Sequence, residues 1–285
     1  GATVQITGGT FTSTETGINN DNLAVGVGLQ TSGIVSGTNI TVTYTAATRT
    51  LSLSGYDTVA NYQSVLASVR YFATGNNPTN YGANTTRTIT WTLDDGALNL
   101  LANSQATTTT TINVTGVNDA PTSTGLNGDS VTTTEPAGSG SVLPAVRIDA
   151  GGNATIADLD NLNFNGGSLR IAITLGASAA QDQLSFDTAA ATTVTIAGSV
   201  ISVGGTAVGT VTGGGAGAGD LVVALNANAT PAAVQTLIRA AQFTNTGGDN
   251  PTVGTRTSTT TPNDGGGVAN GGANTLAVNS TVTVV

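Results

Sequence analysis

The stretch LSLSGYDTVANYQSVLASVRYFATGNNPT (residues 51–79) decides how this chain is read. It runs from an alternating strand into a helix and then into a proline turn. Thr58 is placed to cap the helix, and Val59, Tyr62, Val65, Leu66 and Val69 share one helical face up to Phe72. The order recurs in LVVALNANATPAAVQTLIRAAQFTNTGGDNPT (residues 221–252). There Thr230 caps, Pro231 takes the first helical position, and Val234, Leu237, Ile238 and Ala241 form the face before Phe243.

The correspondence extends outward. Leu51 and Leu53 match Val223 and Leu225, Gln63 matches Gln235, and Tyr71 matches Phe243. Arg87 matches Arg256, and Asp95–Gly96 matches Asp264–Gly265. The separation stays at about 170 residues throughout, the mark of two tandem copies of one module. We expect the first copy over residues 1–119 and the second over residues 120–285, joined near GVNDAPT (residues 116–122). The opening GATVQITGG matches GSLRIAITLG (residues 167–176). Copy two carries a lead segment before that point, from Pro121 onward, that copy one lacks. An exposed edge beside the first strand of copy one is therefore expected, open to a strand from a neighbouring molecule. The alternative is a chain cut inside a longer array; the missing signal peptide and initiator Met suit a processed product or fragment.

Around these segments the pattern is that of strands. ITVTYTAATRTLSLSG (residues 40–55) alternates apolar and polar residues about a turn, as do RTITWTL (87–93), TTINVTGV (110–117), SLRIAITL (168–175) and STVTVV (280–285). Alternation with β-branched residues marks half-buried strands, and it argues against a disordered Thr/Gly spacer. The run TTTTT (107–111) reads as a strand edge, with a mucin-like stalk as the less favoured alternative, and GGGAGAG (213–219) as turn or loop. The expected fold class is all-β.

Composition narrows function. The chain has 285 residues, a net charge of −9, and no His, Cys or Met; all seven basic residues are arginines. Charged residues are 8%, against about 25% usually,. A Ser-His-Asp triad, a thiol nucleophile, a thiolate or imidazole metal site and a Schiff-base lysine are all excluded. Seven scattered arginines make no nucleic-acid stripe, and no apolar run nears the ~20 residues of a membrane span. The remaining metal ligands are oxygens, which suit a hard cation such as Ca²⁺. No carboxylate pair stands apart as catalytic, so an enzyme is not expected.

The segments LSLSGYDTVANYQSVLASVRYFATGNNPT…RTITWTLDDG…TTTINVTGVNDAP, and their outline in copy two, resemble the cadherin-like repeats, related to VCBS repeats, of large bacterial surface and RTX-type adhesins. The resemblance implies tandem Ig-like or cadherin-like β-sandwich domains, each with one short helix. It also implies an extracellular location and Ca²⁺ at the joints. The candidate ligands are Asp94 and Asp95 of LDDG, Asn118 and Asp119 of the linker, Glu135 of TTTEP, and Asp158 and Asp160 of DLDN. Two carboxylates spaced i, i+2 point the same way in extended chain. The competing reading makes these acids turn formers. Asp264 is assigned to a following joint, and Glu15, Asp21 and Asp182 to solvated loops. Arg87 and Arg256 are expected to pin a strand by pairing with an acid or backbone carbonyls, and Trp91 to pack in a core.

The function expected is that of an extracellular structural repeat that extends and stiffens a surface adhesin, fibre or surface layer. Its partners would be neighbouring repeats or further copies of itself. The alternative is a glycan- or host-surface-binding module, which needs an exposed aromatic platform such as Tyr44, Tyr56 and Tyr81 together.

Overall fold

The computed structural model describes residues 1–10, 21–96, 105–138, 140, 142–216 and 219–285. Glu15 lies outside the described residues. The chain is all-β and divides into two compact units, Gly1–Gly116 and Val117–Val285. The division falls just before Asn118 and Asp119 rather than just after them, so both belong to the second unit.

Unit 1 contains β1 (Ala2–Gly8), β2 (Asp21–Val25), β3 (Ser32–Ile34), β4 (Thr41–Thr45), β5 (Thr50–Ser54), α1 (Val59–Ala67), β6 (Val69–Ala73), β7 (Thr86–Asp94) and β8 (Gln105–Asn113). Its main sheet runs β3-β4-β5-β1-β7-β8, and β2 pairs with β6. Alternation sends Val4, Ile6, Leu51, Leu53 and Ile89 inward, where they meet Leu23, Val25 and Val65. Each such side chain contributes about 1.5–3 kcal/mol on burial. Trp91 packs against this core and donates its Nε1–H to Thr110 Oγ1 at 2.9 Å.

Unit 2 contains β9 (Thr122–Thr124), β10 (Ser130–Thr133), β11 (Val146–Arg147), β12 (Thr155–Ala157), β13 (Ser168–Leu175), β14 (Asp182–Phe186), β15 (Val194–Ala197), β16 (Val200–Val203), β17 (Thr206–Gly213), β18 (Gly215–Ala216), β19 (Leu221–Leu225), α2 (Pro231–Ala240), β20 (Ala241–Asn245), β21 (Gly254–Asn263) and β22 (Val278–Val284). Its sheets run β10-β22-β21-β13-β19-β17-β16-β15, β11-β20-β14-β18 and β9-β12.

The frames coincide in detail. The central strand carries the same irregularity in each, between Ile6 and Gly8 on β7 and between Ile173 and Leu175 on β21. Gly9 and Gly176 follow it, both at φ +73°, and a Cβ there would meet the carbonyl oxygen of Thr86 or Thr255 at 1.9 or 2.2 Å. Only glycine fits so close an approach. On the outer faces, threonine hydroxyls pair across strands: Thr7 with Thr90 at 2.8 Å, and Thr174 with Thr259 at 2.9 Å.

Three expectations change. Both helices are shorter than the apolar spacing suggests. α1 stops at Ala67 with Ser68 as its C-cap, and α2 stops at Ala240. Val69 to Phe72 leave the helix and pair with β2, since β-branched and aromatic residues satisfy a strand there,. The first strand is not an open edge: β1 lies between β5 and β7. Among the described residues the edges of that sheet are β3 and β8, the latter carrying TTTTT.

Candidate functional site

Each unit is pinned by a buried ion pair. Arg87 Nε donates to Asp21 Oδ2 at 2.7 Å, and Arg256 Nε donates to Asp182 Oδ2 at 3.1 Å. All four side chains are at most 3% exposed. The guanidinium groups also reach backbone carbonyls, Pro78 and Asn84 in unit 1, Thr252 and Gly254 in unit 2. The arginines therefore pin strands as expected. Their partners correct the reading of Asp21 and Asp182 as solvated loop acids. The remaining lone pairs are filled differently: Tyr71 Oη–H donates to Asp21 at 2.5 Å, whereas Asn245 Nδ2–H donates to Asp182 at 2.8 Å. Burial, followed by the Asp21 contact, pushes the Tyr71 hydroxyl well above its ordinary pKa.

A second acidic group gathers where the chain enters unit 2. Asn118 Nδ2 donates to both carboxylate oxygens of Asp264 at 3.1 Å and to the Ala273 carbonyl at 2.5 Å. Asn118 Oδ1 accepts from Asn161 Nδ2 at 2.5 Å. The seat is cut for this side chain, because a Cβ on Gly266 would lie 1.8 Å from Asn118 Oδ1. Asp119 donates its N–H to Asp160 Oδ2 at 2.9 Å. Asp158 Oδ1 accepts the N–H groups of Asp160 and Asn161, a turn-forming role, while its Oδ2 is buried without a hydrogen-bond partner.

The electrostatics are unbalanced. Burial, with the Asp158 carboxyl beside it, pushes the Asp160 pKa up to about 6. Burial, with the charge of Asp160, raises that of Asp264. Among the described residues no three acidic or other metal-binding side chains form a cage by themselves. Asn118, Asp158, Asp160 and Asp264 carry oxygens of the hard-donor type, and a Ca²⁺ ion there would need waters and carbonyls to complete six to eight ligands. The orphaned Asp158 Oδ2 fits such a group.

The other candidates lie elsewhere. Glu135 donates its N–H to Val285 O at 3.2 Å, and β22 ends there opposite Gly254. Asp264 follows the other end of the ten-residue β21, roughly 30 Å away at ~3.3 Å per residue. Glu135 therefore stands apart from the group. Asp264, assigned from sequence to a following joint, instead holds Asn118 at the start of its own unit. Asp94 and Asp95 stand in unit 1 beside Gly1, whose amine donates to Asp94 O at 2.6 Å. The chain leaves β8 at the opposite end, where Asn113 faces Thr86. Asp94 Oδ1 accepts from Gly96 N–H at 2.8 Å, as a turn former does,. Tyr44 packs on the core and donates to Asp21 O at 2.7 Å, so it forms no exposed platform with Tyr56 and Tyr81.

No helix among the described residues is long and apolar enough to cross a membrane. No family model matches the chain, and no curated protein does. Among solved structures it is similar to zebrafish RET cadherin-like domains 1 to 4, at 9% identity and TM-score 0.24, covering 93% of this chain and 42% of that one. It is similar to a protocadherin gammaB7 EC3-6 cis-dimer structure at 13% identity and TM-score 0.23, covering all of this chain and 50% of that one. It is also similar to the collagen adhesin from S. aureus, at 10% identity and TM-score 0.21, covering 99% and 81%. The chain thus spans half or less of the first two, and scores of this size carry no argument about fold or function.

Proposed function

We propose that this chain is a pair of structural modules from a large bacterial surface protein, working outside the cell to extend and space it. The observation that carries this reading is one frame built twice, with the same charge pin, the same glycine approach and the same helix placement. Its partners are neighbouring modules of the same kind. Ca²⁺ bound by Asn118, Asp158, Asp160 and Asp264, beside Asp119, fixes the linker onto unit 2 and relieves the repulsion among the carboxylates.

Thermal unfolding in Ca²⁺ and in chelator tests the cation. A ligand held only by the folded state at 100 times its Kd adds about 2.7 kcal/mol. The Ca²⁺-dependent rise in Tm should belong to the unit 2 transition and vanish in Asp158→Asn and Asp160→Asn, while Asp94→Asn and Glu135→Gln keep it. Equal melting with and without Ca²⁺ would remove the cation from the mechanism and leave the acids as turn formers.

A further inference from the structure

Asparagine followed by glycine occurs at Asn127–Gly128, Asn165–Gly166 and Asn270–Gly271, all in unit 2. A glycine nitrogen, with no Cβ beside it, can approach the side-chain carbonyl of the preceding asparagine more freely than any other. All three asparagines are exposed to water. What separates them is how firmly each glycine nitrogen is held.

Two are tied to distant strands. Gly128 N–H donates to Asn279 O of β22 at 2.8 Å, and Gly166 N–H donates to Leu225 O at the end of β19 at 3.2 Å. Moving either nitrogen means opening packed structure. Asn270–Gly271 lies instead in an exposed 3₁₀ turn, Ala269–Gly271, with no strand partner. Asn270 stands in the left-handed region at φ +57°, ψ +24°, off the helical well,. Gly271 is at φ +87°, and nothing lies within 4 Å of where it would carry a Cβ. Rearranging this pair costs one short turn and no packing.

The same turn leads directly into the seat of Asn118. Gly272 N–H donates back to Ala269 O at 3.0 Å, and Ala273 N–H donates to Asn118 O at 2.8 Å. Asn118 Nδ2 returns a bond to the Ala273 carbonyl at 2.5 Å. Gly272 runs so close that a Cβ on it would meet the Asn118 carbonyl oxygen at 3.0 Å and its nitrogen at 3.1 Å. A main chain lengthened between residues 270 and 271 cannot keep all of these contacts.

We propose that Asn270–Gly271 is a self-modifying bond that loosens the Asn118 seat as the protein ages. The Gly271 nitrogen bonds to Asn270 Cγ, the Cγ–Nδ2 bond breaks, and the amide proton leaves with the ammonia. The product is a five-membered succinimide. Water is the one co-reactant of the next step. Adding at Cγ, it reopens the ring to aspartate; adding at the main-chain carbonyl, it gives isoaspartate, in which Cβ and Cγ become part of the main chain. Nothing is oxidised or reduced. The isoaspartate form pushes the turn away from Ala273 and adds a carboxylate to a loop that already holds Asp264.

The test incubates the full chain in chelator at mildly alkaline pH and follows peptide-mapped mass and enzymatic isoaspartate labelling. Asn270 should convert at least about tenfold faster than Asn127 and Asn165, whose glycines must first leave their strand contacts. In denaturant the three rates should come together. Conversion of Asn270 no faster than the other two in the folded chain would overturn the site. Amide exchange then reads the seat: the N–H of Ala273 should exchange about tenfold faster in the converted chain. Asn270→Gln, too long to close the five-membered ring, should stay unconverted and keep Ala273 protected through the same incubation. Freshly purified Asn270→Asp carries the charge on an ordinary main chain and should exchange like the parent. Equal exchange before and after conversion would overturn the loosening, and equal loosening in Asn270→Asp would overturn the lengthened main chain as its cause. None of these outcomes depends on the structural-module reading or on Ca²⁺.

Discussion

The two units differ most in how they are closed. β22, paired along its edge with β10, buries Val278, Ser280, Val282 and Val284, whereas in β8 only Ile112 is even half-buried. α2 buries four residues and α1 buries Val65 alone. The charge pin, the bulge and the paired hydroxyls are nevertheless the same. The frame is thus specified by central strands and one ion pair, and the lead segment is a separable cover that raises burial at the edges.

The largest test of that comparison removes one partner from the pin. Asp182→Ala and Asp21→Ala each leave a buried guanidinium uncompensated, a loss of about 3–5 kcal/mol. Denaturant unfolding should show the loss confined to the unit that carries the substitution. A much smaller loss in unit 1 would mean that its pin is not equivalent. Removing a helix cap gives a middle-sized effect. Thr58 Oγ1 accepts from Asn61 N–H, and Thr230 Oγ1 accepts from Ala233 N–H, both at 3.2 Å. Thr58→Ala should cost about 1 kcal/mol. Thr230→Ala should cost less, because Pro231 sets the first turn and packing holds α2.

The smallest effect is with pH and belongs to unit 2. Asp160 has its pKa raised to about 6 from the 3.8 of the unperturbed group. Between those values the folded state holds more protons than the unfolded one, so stability falls as pH rises through this window and returns on acidification. With allowance for solvent screening the change is below about 1 kcal/mol. Melting in chelator should show it between pH 4 and 6,. Bound Ca²⁺ should reverse the sign by requiring ionised carboxylates.

Much of this frame was legible in the sequence. Alternation found β4, β5, β7, β13 and β22, and ordered matches such as Arg87 with Arg256 revealed the repeat. What escaped depends on pairings between distant residues. Asp21 and Arg87 lie 66 positions apart, and Asp182 and Arg256 lie 74 apart. A solvated turn acid and a buried counter-ion look alike until the register is known. The acidic group was half legible: DLDN and the linker do converge, but LDDG and Glu135 were assigned without knowing which end of a sheet each loop occupies. Asp264 was the missed member. Its match to Asp95 was visible, and the sheet topology that turns it back toward Asn118 was not. Helix length failed at Val69, where an apolar face continues in sequence after the backbone has already become strand.

The paired threonine hydroxyls on the outer faces have a further consequence. A surface stitched by Thr7 with Thr90 and Thr174 with Thr259 carries dipoles where most proteins carry ions. Dissolved salt screens charges and leaves neutral hydroxyl pairs alone. These faces should hold the same grip in fresh water and in brine.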